Sequence, residues 1–172
     1  MPRTSGPFPV FFPEVVDQQQ LLYPIHDKGM GNWLGINVLP AQSFQLSGEK
    51  TFTAIEMMMD EVHGFSGDVT VRIETDNAGS PSGILANPNA SKILNPALSG
   101  IVKITFDVPF ILNGDTKYWS VGRGPGQTMG NYWFLYGTGD TDSYLRGSTK
   151  AYYMGAWNVV AGQSYFKIYV RK

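Results

Sequence analysis

The residue types able to do chemistry are few and scattered. The 172 residues include two histidines, His26 and His63, and no cysteine. A chain without cysteine has no thiolate nucleophile, no disulfide framework and no Cys-based metal site. His63 lies in Asp60-Glu61-Val62-His63-Gly64, which offers the groups of a metal corner or an acid/base cluster but equally reads as a strand end with ordinary surface charge. No Gly-x-Ser-x-Gly elbow, His-Glu-x-x-His pair or Walker loop accompanies it. Gly122-Arg123-Gly124-Pro125-Gly126 has the glycine content of a phosphate loop without the Lys-Ser/Thr that would hold phosphate and metal. Asp140 with Asp142, and Asp76 with Asn77, present hard oxygen ligands of the kind calcium takes, although solvated turn residues have the same composition. These residues assign no catalytic group, no metal and no cofactor, and no turnover of glycosides, esters or peptides is expected.

Aromatic residues give a stronger signal. In Asn131-Tyr132-Trp133-Phe134-Leu135-Tyr136 the period of two places Tyr132, Phe134 and Tyr136 on one face of a strand and Trp133 and Leu135 on the other. One set must face away from a sandwich core. Tyr132, Phe134 and Tyr136 are the expected outer set, because two of the three carry hydroxyls that can stay hydrated. With Tyr144, Tyr152, Tyr153 and Trp157 they form a candidate glycan or interface surface, since exposed rings stack on sugar C–H faces and anchor protein contacts.

The elements that would position these residues are strands. Charged residues make up only 16% of the chain, while Gly (20) and Pro (11) are abundant, a balance that favours short strands and tight turns over solvated helices. Asp68-Val69-Thr70-Val71-Arg72-Ile73-Glu74 alternates, with Val69, Val71 and Ile73 inward and Thr70, Arg72 and Glu74 outward onto a wet face. In Phe52 to Met59 the better core face is Ile55, Met57 and Met59. Asp76 to Gly83 is turn chemistry, Ile84 to Ser99 reads as irregular, and Asn113-Gly114-Asp115 joins two further strands. Tyr165 to Lys172 alternates and would close the sheet. About eight strands on a chain of this length describe an all-β, two-sheet antiparallel β-sandwich of jelly-roll type.

Residues 1–30 differ. Five prolines, Pro2, Pro7, Pro9, Pro13 and Pro24, argue for an extended arm unable to form a central strand, ahead of a sandwich domain over 31–172. The arm also carries Phe8, Val10, Phe11, Phe12, Val15, Val16, Leu21 and Leu22, which gain from burial either on the arm's own domain or on a neighbouring subunit. On the second reading, removing residues 1–30 leaves the sandwich folded and abolishes assembly. A net charge of −1 gives no electrostatic case for nucleic acid, and no run of about 18 apolar residues suggests a membrane span. The proline-broken N-terminus lacks the apolar h-region of a secretory signal, so synthesis and assembly in a cytoplasm are expected.

Several motifs carry a resemblance. Ser43-Phe44, Gly67 through Asp76, Ala78-Gly79-Ser80-Pro81-Ser82-Gly83, Ile104-Thr105-Phe106 and Leu112 through Trp119 follow one another along the chain. In that order the segment from Gln42 to about Val121 resembles a family of jelly-roll modules found in bacterial extracellular proteins and in phage virion proteins. The resemblance implies attachment rather than catalysis. A module behind a Pro-rich arm is similar to the virion branch, which implies a capsid decoration or a tail- or fibre-associated protein whose partners are other virion subunits, with homo-oligomers on the particle. The alternative it implies is a carbohydrate-binding module for host-surface glycans. A small glycoside hydrolase comes third, because nothing nominates two carboxylates across one cleft.

Overall fold

The computed structural model describes residues 12–20, 26–33, 36–62, 68–94, 100–124, 132–137, 148–159 and 165–171, and for residues 20, 26–33, 36–38, 59–62, 132–137 and 153 it describes the backbone alone. Within these, thirteen strands and no helix are present: β1 Glu14–Gln20, β2 His26–Trp33, β3 Ile36–Gln45, β4 Lys50–Val62, β5 Val69–Asn77, β6 Ser80–Leu85, β7 Ser91–Leu94, β8 Gly100–Leu112, β9 Lys117–Arg123, β10 Tyr132–Gly137, β11 Thr149–Tyr153, β12 Ala156–Val159 and β13 Phe166–Arg171. Every pairing is antiparallel.

They form two packed sheets, the two-sheet, jelly-roll-like β-sandwich expected from the strand pattern. Sheet A is built from β1, β13, β4 and β8, with β10 and β2 continuing from the far end of β4; sheet B is built around β5, β9, β3 and β11, flanked by β6, β7 and β12. The sheets are joined by hydrogen bonds at one corner, because the start of β3, residues 36–38, pairs with β2, while its later residues pair with β9 along one edge and β11 along the other.

Alternation explains how each strand faces the core. Val69, Val71 and Ile73 of β5 are buried against Phe166, Ile168 and Val170 of β13 and Val102, Ile104 and Phe106 of β8 in one hydrophobic cluster. Its centre is aromatic: the Phe52 ring lies 5.9 Å from Phe44, 5.2 Å from Phe110 and 5.6 Å from Phe106. Phe52 departs from its sequence assignment, which put it opposite Ile55 and Met57. The ladder between β4 and β8 shifts between Phe52 and Ala54, and this irregularity turns Phe52 to the same side as Ile55 and Met57. The Thr53 hydroxyl at the shift lies 3.1 Å from the Tyr169 carbonyl and 2.5 Å from a Glu14 carboxylate oxygen, acceptors that share its one proton, so the break in the ladder leaves no stranded hydroxyl.

The two stretches read as turn and irregular chain hold short strands. β6 contains Pro81 yet, among the described residues, pairs only with β5, at a sheet margin where a missing N–H is tolerated. β7 pairs with the other half of the same β5 edge. Between β5 and β6, Ala78 and Gly79 both have positive φ, 49° and 83°, the conformation of a two-residue hairpin turn matched to strand twist.

The segment read as an arm is part of the sheet where it is described. Glu14–Gln20 pairs with β13, and His26–Trp33 lies between β10 and β3. Its prolines fall outside both strands, so they do not prevent the pairing. Val15 packs on the core cluster, whereas Phe12 and Val16 are exposed; Phe8, Val10, Phe11, Leu21 and Leu22 lie outside the described residues. The boundary at residue 30 is therefore not a boundary of the fold, and deletion of residues 1–30 is expected to unfold the sandwich instead of releasing a spare arm, seen as loss of a cooperative thermal transition.

The turn after β8 is held by backbone approach. A Cβ on Gly114 would stand 2.1 Å from the Gly48 Cα, and the neighbouring Asp115 N–H donates to the Leu46 carbonyl at 3.2 Å. The Asn113 N–H donates to the Tyr118 hydroxyl at 3.0 Å, tying the same turn to the core. Gly114→Ala is expected to cost about 1–3 kcal/mol in chemical denaturation, because backbone on the opposing turn cannot step aside as a side chain would.

Candidate functional site

Chemistry-bearing side chains gather on the outer face of sheet B. Registers place Arg72, Glu74 and Asp76 of β5 beside Val121 and Trp119 of β9, then Ala41 and Ser43 of β3, then Lys150 and Tyr152 of β11 and Trp157 of β12. Trp119, Val121 and Ala41 are buried in a second small apolar cluster, with Leu39 and Trp157 packed on it. The Trp157 and Tyr152 rings meet edge to face at 5.4 Å, both half-buried.

Glu74 is the departure from simple alternation. It points to the outer face yet is fully buried. Its Oε2 accepts from the Gly83 N–H at 2.8 Å, and its Oε1 takes Arg123 at 3.0 Å and Arg72 at 3.4 Å. Arg72 in turn donates to the Gly83 carbonyl at 2.9 Å. One carboxylate thereby fixes β5, β6 and β9. Asp76 is equally committed: Oδ2 accepts from the Gly79 N–H at 2.9 Å and Oδ1 from the Trp119 indole N–H at 2.7 Å. This is turn and core chemistry, with both oxygens occupied by protein donors. Lys150 donates to Ser80 at 2.9 Å and lies 6.0 Å from the centre of the Trp119 ring.

The outer face of sheet A carries a second network. Glu56 accepts from the Tyr165 hydroxyl at 2.7 Å and the Tyr169 hydroxyl at 2.8 Å and pairs with Lys167 at 2.6 Å. Glu14 pairs with Lys103 and accepts from Thr53 at 2.5 Å, and Lys103 sits 3.9 Å above the Tyr169 ring. Burial alone would raise both carboxyl pKa values, but the hydrogen bonds from Lys167, Tyr165 and Tyr169 to Glu56, and from Lys103 and Thr53 to Glu14, outweigh it and hold both below the ordinary value. Burial and the Glu56 carboxylate raise the Tyr165 and Tyr169 phenols.

These arrangements occupy the Glu74, Asp76, Glu14 and Glu56 carboxylates with protein donors, while the buried Arg123 Nε has no hydrogen-bond partner among the described residues. Among the described residues no three His, Asp or Glu side chains converge as a metal site, and no helix is long and apolar enough to cross a membrane. Of the residues singled out in the sequence, Tyr152 and Trp157 come together, with the backbone of Tyr153 in the same strand. The strand β10 pairs with β2 and β4, Leu135 opposite Met59 and Phe134 opposite Asp60; the side chains of Tyr132, Phe134 and Tyr136, and of His26, lie outside the description, as do Tyr144, His63, Asp140 and Asp142 entirely. Sequence reading missed Glu74, Trp119, Arg123 and Lys150. The available signal was the row Arg72, Glu74, Asp76 at period two, which stacks alternating charges on one strand face. No protein-family model matches the chain, and no curated protein matches it in sequence.

Two outcomes follow from the networks. Glu74→Gln removes the counter-charge of two arginines and is expected to lower stability by about 2–3 kcal/mol in denaturant titration, less than the ~3–5 kcal/mol of a fully buried pair because the arginines are partly open to water. Glu14 and Glu56 have folded-state pKa values below the unfolded value of 4.5, so their contribution is complete above that pH and is lost as pH falls through the depressed values. The melting temperature should drop below about pH 4.5, and Glu56→Gln should flatten part of that drop.

Proposed function

We propose that the protein is a non-enzymatic structural component of a bacteriophage particle, a capsid decoration or a tail- or fibre-associated jelly roll, that works by protein–protein attachment. The observation that carries this reading is the set of large apolar side chains left in water on one strand. Among the described residues β8 pairs only with β4, and Ile101, Val108 and Ile111 along it are 48%, 51% and 58% exposed. Exposed β-branched residues on a rigid strand are suited to burial by a partner. Val16 adds to the same outer face of sheet A through the register Val16–Tyr169–Ala54–Thr105. Pro109, the irregular stretch between Thr105 and Phe110, and Lys103 keep the edge from recruiting strands indiscriminately, so attachment through side chains is favoured over open-ended strand addition. The resemblance to virion jelly-roll modules and the saturation of the buried carboxylates both support attachment over catalysis.

A carbohydrate-binding module for host-surface glycans is the second reading. It is favoured by the half-exposed Tyr152 and Trp157 pair beside Lys150.

Quantitative mass spectrometry of purified phage particles is expected to find the protein at a fixed ratio to the major shell or tail subunit. Ile101→Asp and Val108→Asp should reduce incorporation while leaving the melting temperature almost unmoved, since both sites are exposed. Absence from particles, with glycan-array binding by a free monomer, would replace the first reading with the second.

A further inference from the structure

A cleft of about 370 Å³ opens at one end of sheet A, lined by Glu49, Lys50, Thr51, Ile111 and Arg171. We infer that this cleft binds an acidic sugar residue, a pyranose carrying a carboxylate. The inference shares Ile111 with the attachment surface proposed above and otherwise rests on Glu49, Lys50, Thr51 and Arg171, so sugar binding and particle incorporation are read out separately.

The cleft is built by three adjacent strands. Arg171 of β13 and Ile111 of β8 flank Thr51 of β4 in register, and Lys50 and Glu49 close the strand end. Its charges are uncommitted, in contrast to the rest of this sheet face. Glu14, Glu56, Lys103 and Lys167 are all joined in salt bridges, whereas among the described residues Lys50, Arg171 and Glu49 have no ion-pair or side-chain hydrogen-bond partner. Arg171 is close enough to Glu14 to help lower its pKa without pairing with it. Two free cations at one cleft call for an anionic group, and a guanidinium matches a carboxylate in two parallel hydrogen bonds.

The remaining lining chooses among anions. With Lys50 and Arg171 set against Glu49, the cleft has the charge balance for one carboxylate and not for a polyphosphate or a run of acidic residues, and Glu49 accepts hydrogen bonds from sugar hydroxyls. Thr51 can donate or accept at the floor, and Ile111 offers an apolar wall to a ring's C–H face. A volume of this size lies within the range of small-ligand sites and suits one or two sugar rings. Carboxylate, hydroxyls and an apolar ring face in one small ligand are the chemistry of a uronate or a sialate.

The test is a titration of the full chain with a glucuronate-containing disaccharide, followed in proton–nitrogen correlation spectra. The amides of Thr51, Ile111 and Arg171 are expected to shift. The neutral analogue, with hydroxymethyl in place of the carboxylate, and the variants Arg171→Gln and Lys50→Gln should each bind about tenfold more weakly, the scale of one lost charge-assisted contact. A sialyl disaccharide run alongside distinguishes the two acidic sugar classes, and binding of either supports the inference. It is overturned if neither acidic sugar shifts these amides, if the neutral analogue binds equally well, or if inorganic phosphate or a glutamate-rich peptide binds as tightly. Should a variant lose its thermal transition, the wild-type shifts and the acidic-to-neutral comparison decide the matter without it.

Discussion

Withdrawing the Glu74 carboxylate from water carries a penalty of several kcal/mol, and sheet B is arranged around offsetting it. The Gly83 N–H supplies one oxygen, Arg123 and Arg72 the other, and Arg72 returns to the Gly83 carbonyl. Each partner comes from a different place in the sequence: Arg72 from β5 itself, Gly83 from within β6 and Arg123 from the end of β9. The arrangement therefore holds only when the β5–β6 hairpin and the β5–β9 register are both correct. A one-residue slip of β5 would carry Glu74 into the apolar core and Ile73 out of it. The same strand sets Asp76 under the Trp119 indole, so a single register determines both the polar clasp and the seat of the largest buried ring.

How much of this could be read in advance depended on how local the cause was. Val69, Val71, Ile73 and the Asn113-Gly114-Asp115 turn were readable because period-two alternation and turn chemistry act within a few residues. The placement of Phe52 was not, since it depends on how β4 meets β8, some fifty positions later in the chain. Glu74 was assigned to the correct side of β5 but not to its buried state, because burial on an outer face is decided by Arg123 and Gly83, which the strand's own pattern does not include. The strand character of 14–20 and 26–33 was hidden by the prolines around them, whose effect stops at the residues that carry them and their immediate neighbours. At the site level, Tyr152 and Trp157 were singled out as rings without any indication that a tight turn would set them face to edge. Lys50 and Arg171 gave no signal at all: a lysine and an arginine 121 positions apart become neighbours only through β13 pairing with β4.

The two outer faces share a logic. In each, carboxylates are enclosed by cations, phenols or backbone N–H groups and are thereby fixed in position and charge. Groups so committed give a surface a stable pattern for recognition, while proton transfer needs a group free to change state. Apolar side chains exposed on β8 and β1, and Lys50 and Arg171 at the end of sheet A, which have no ion-pair partner among the described residues, lie outside these networks.

The pairing of β1 with β13 ties the order of synthesis to the order of folding. Strand β13 lies between β1 and β4 in sheet A, so the ladder that residues 14–20 form among the described strands waits until residues 166–171 have left the ribosome. Sheet B can assemble earlier through β3, β5 and β9, all complete by residue 123. During that interval Phe52, Ile55 and Met57 stand beside an open groove that Phe166, Ile168 and Val170 will later fill. Elongation speed and chaperone contact over the last third of the chain thus bear on yield in a way that the stability of the finished protein does not reveal.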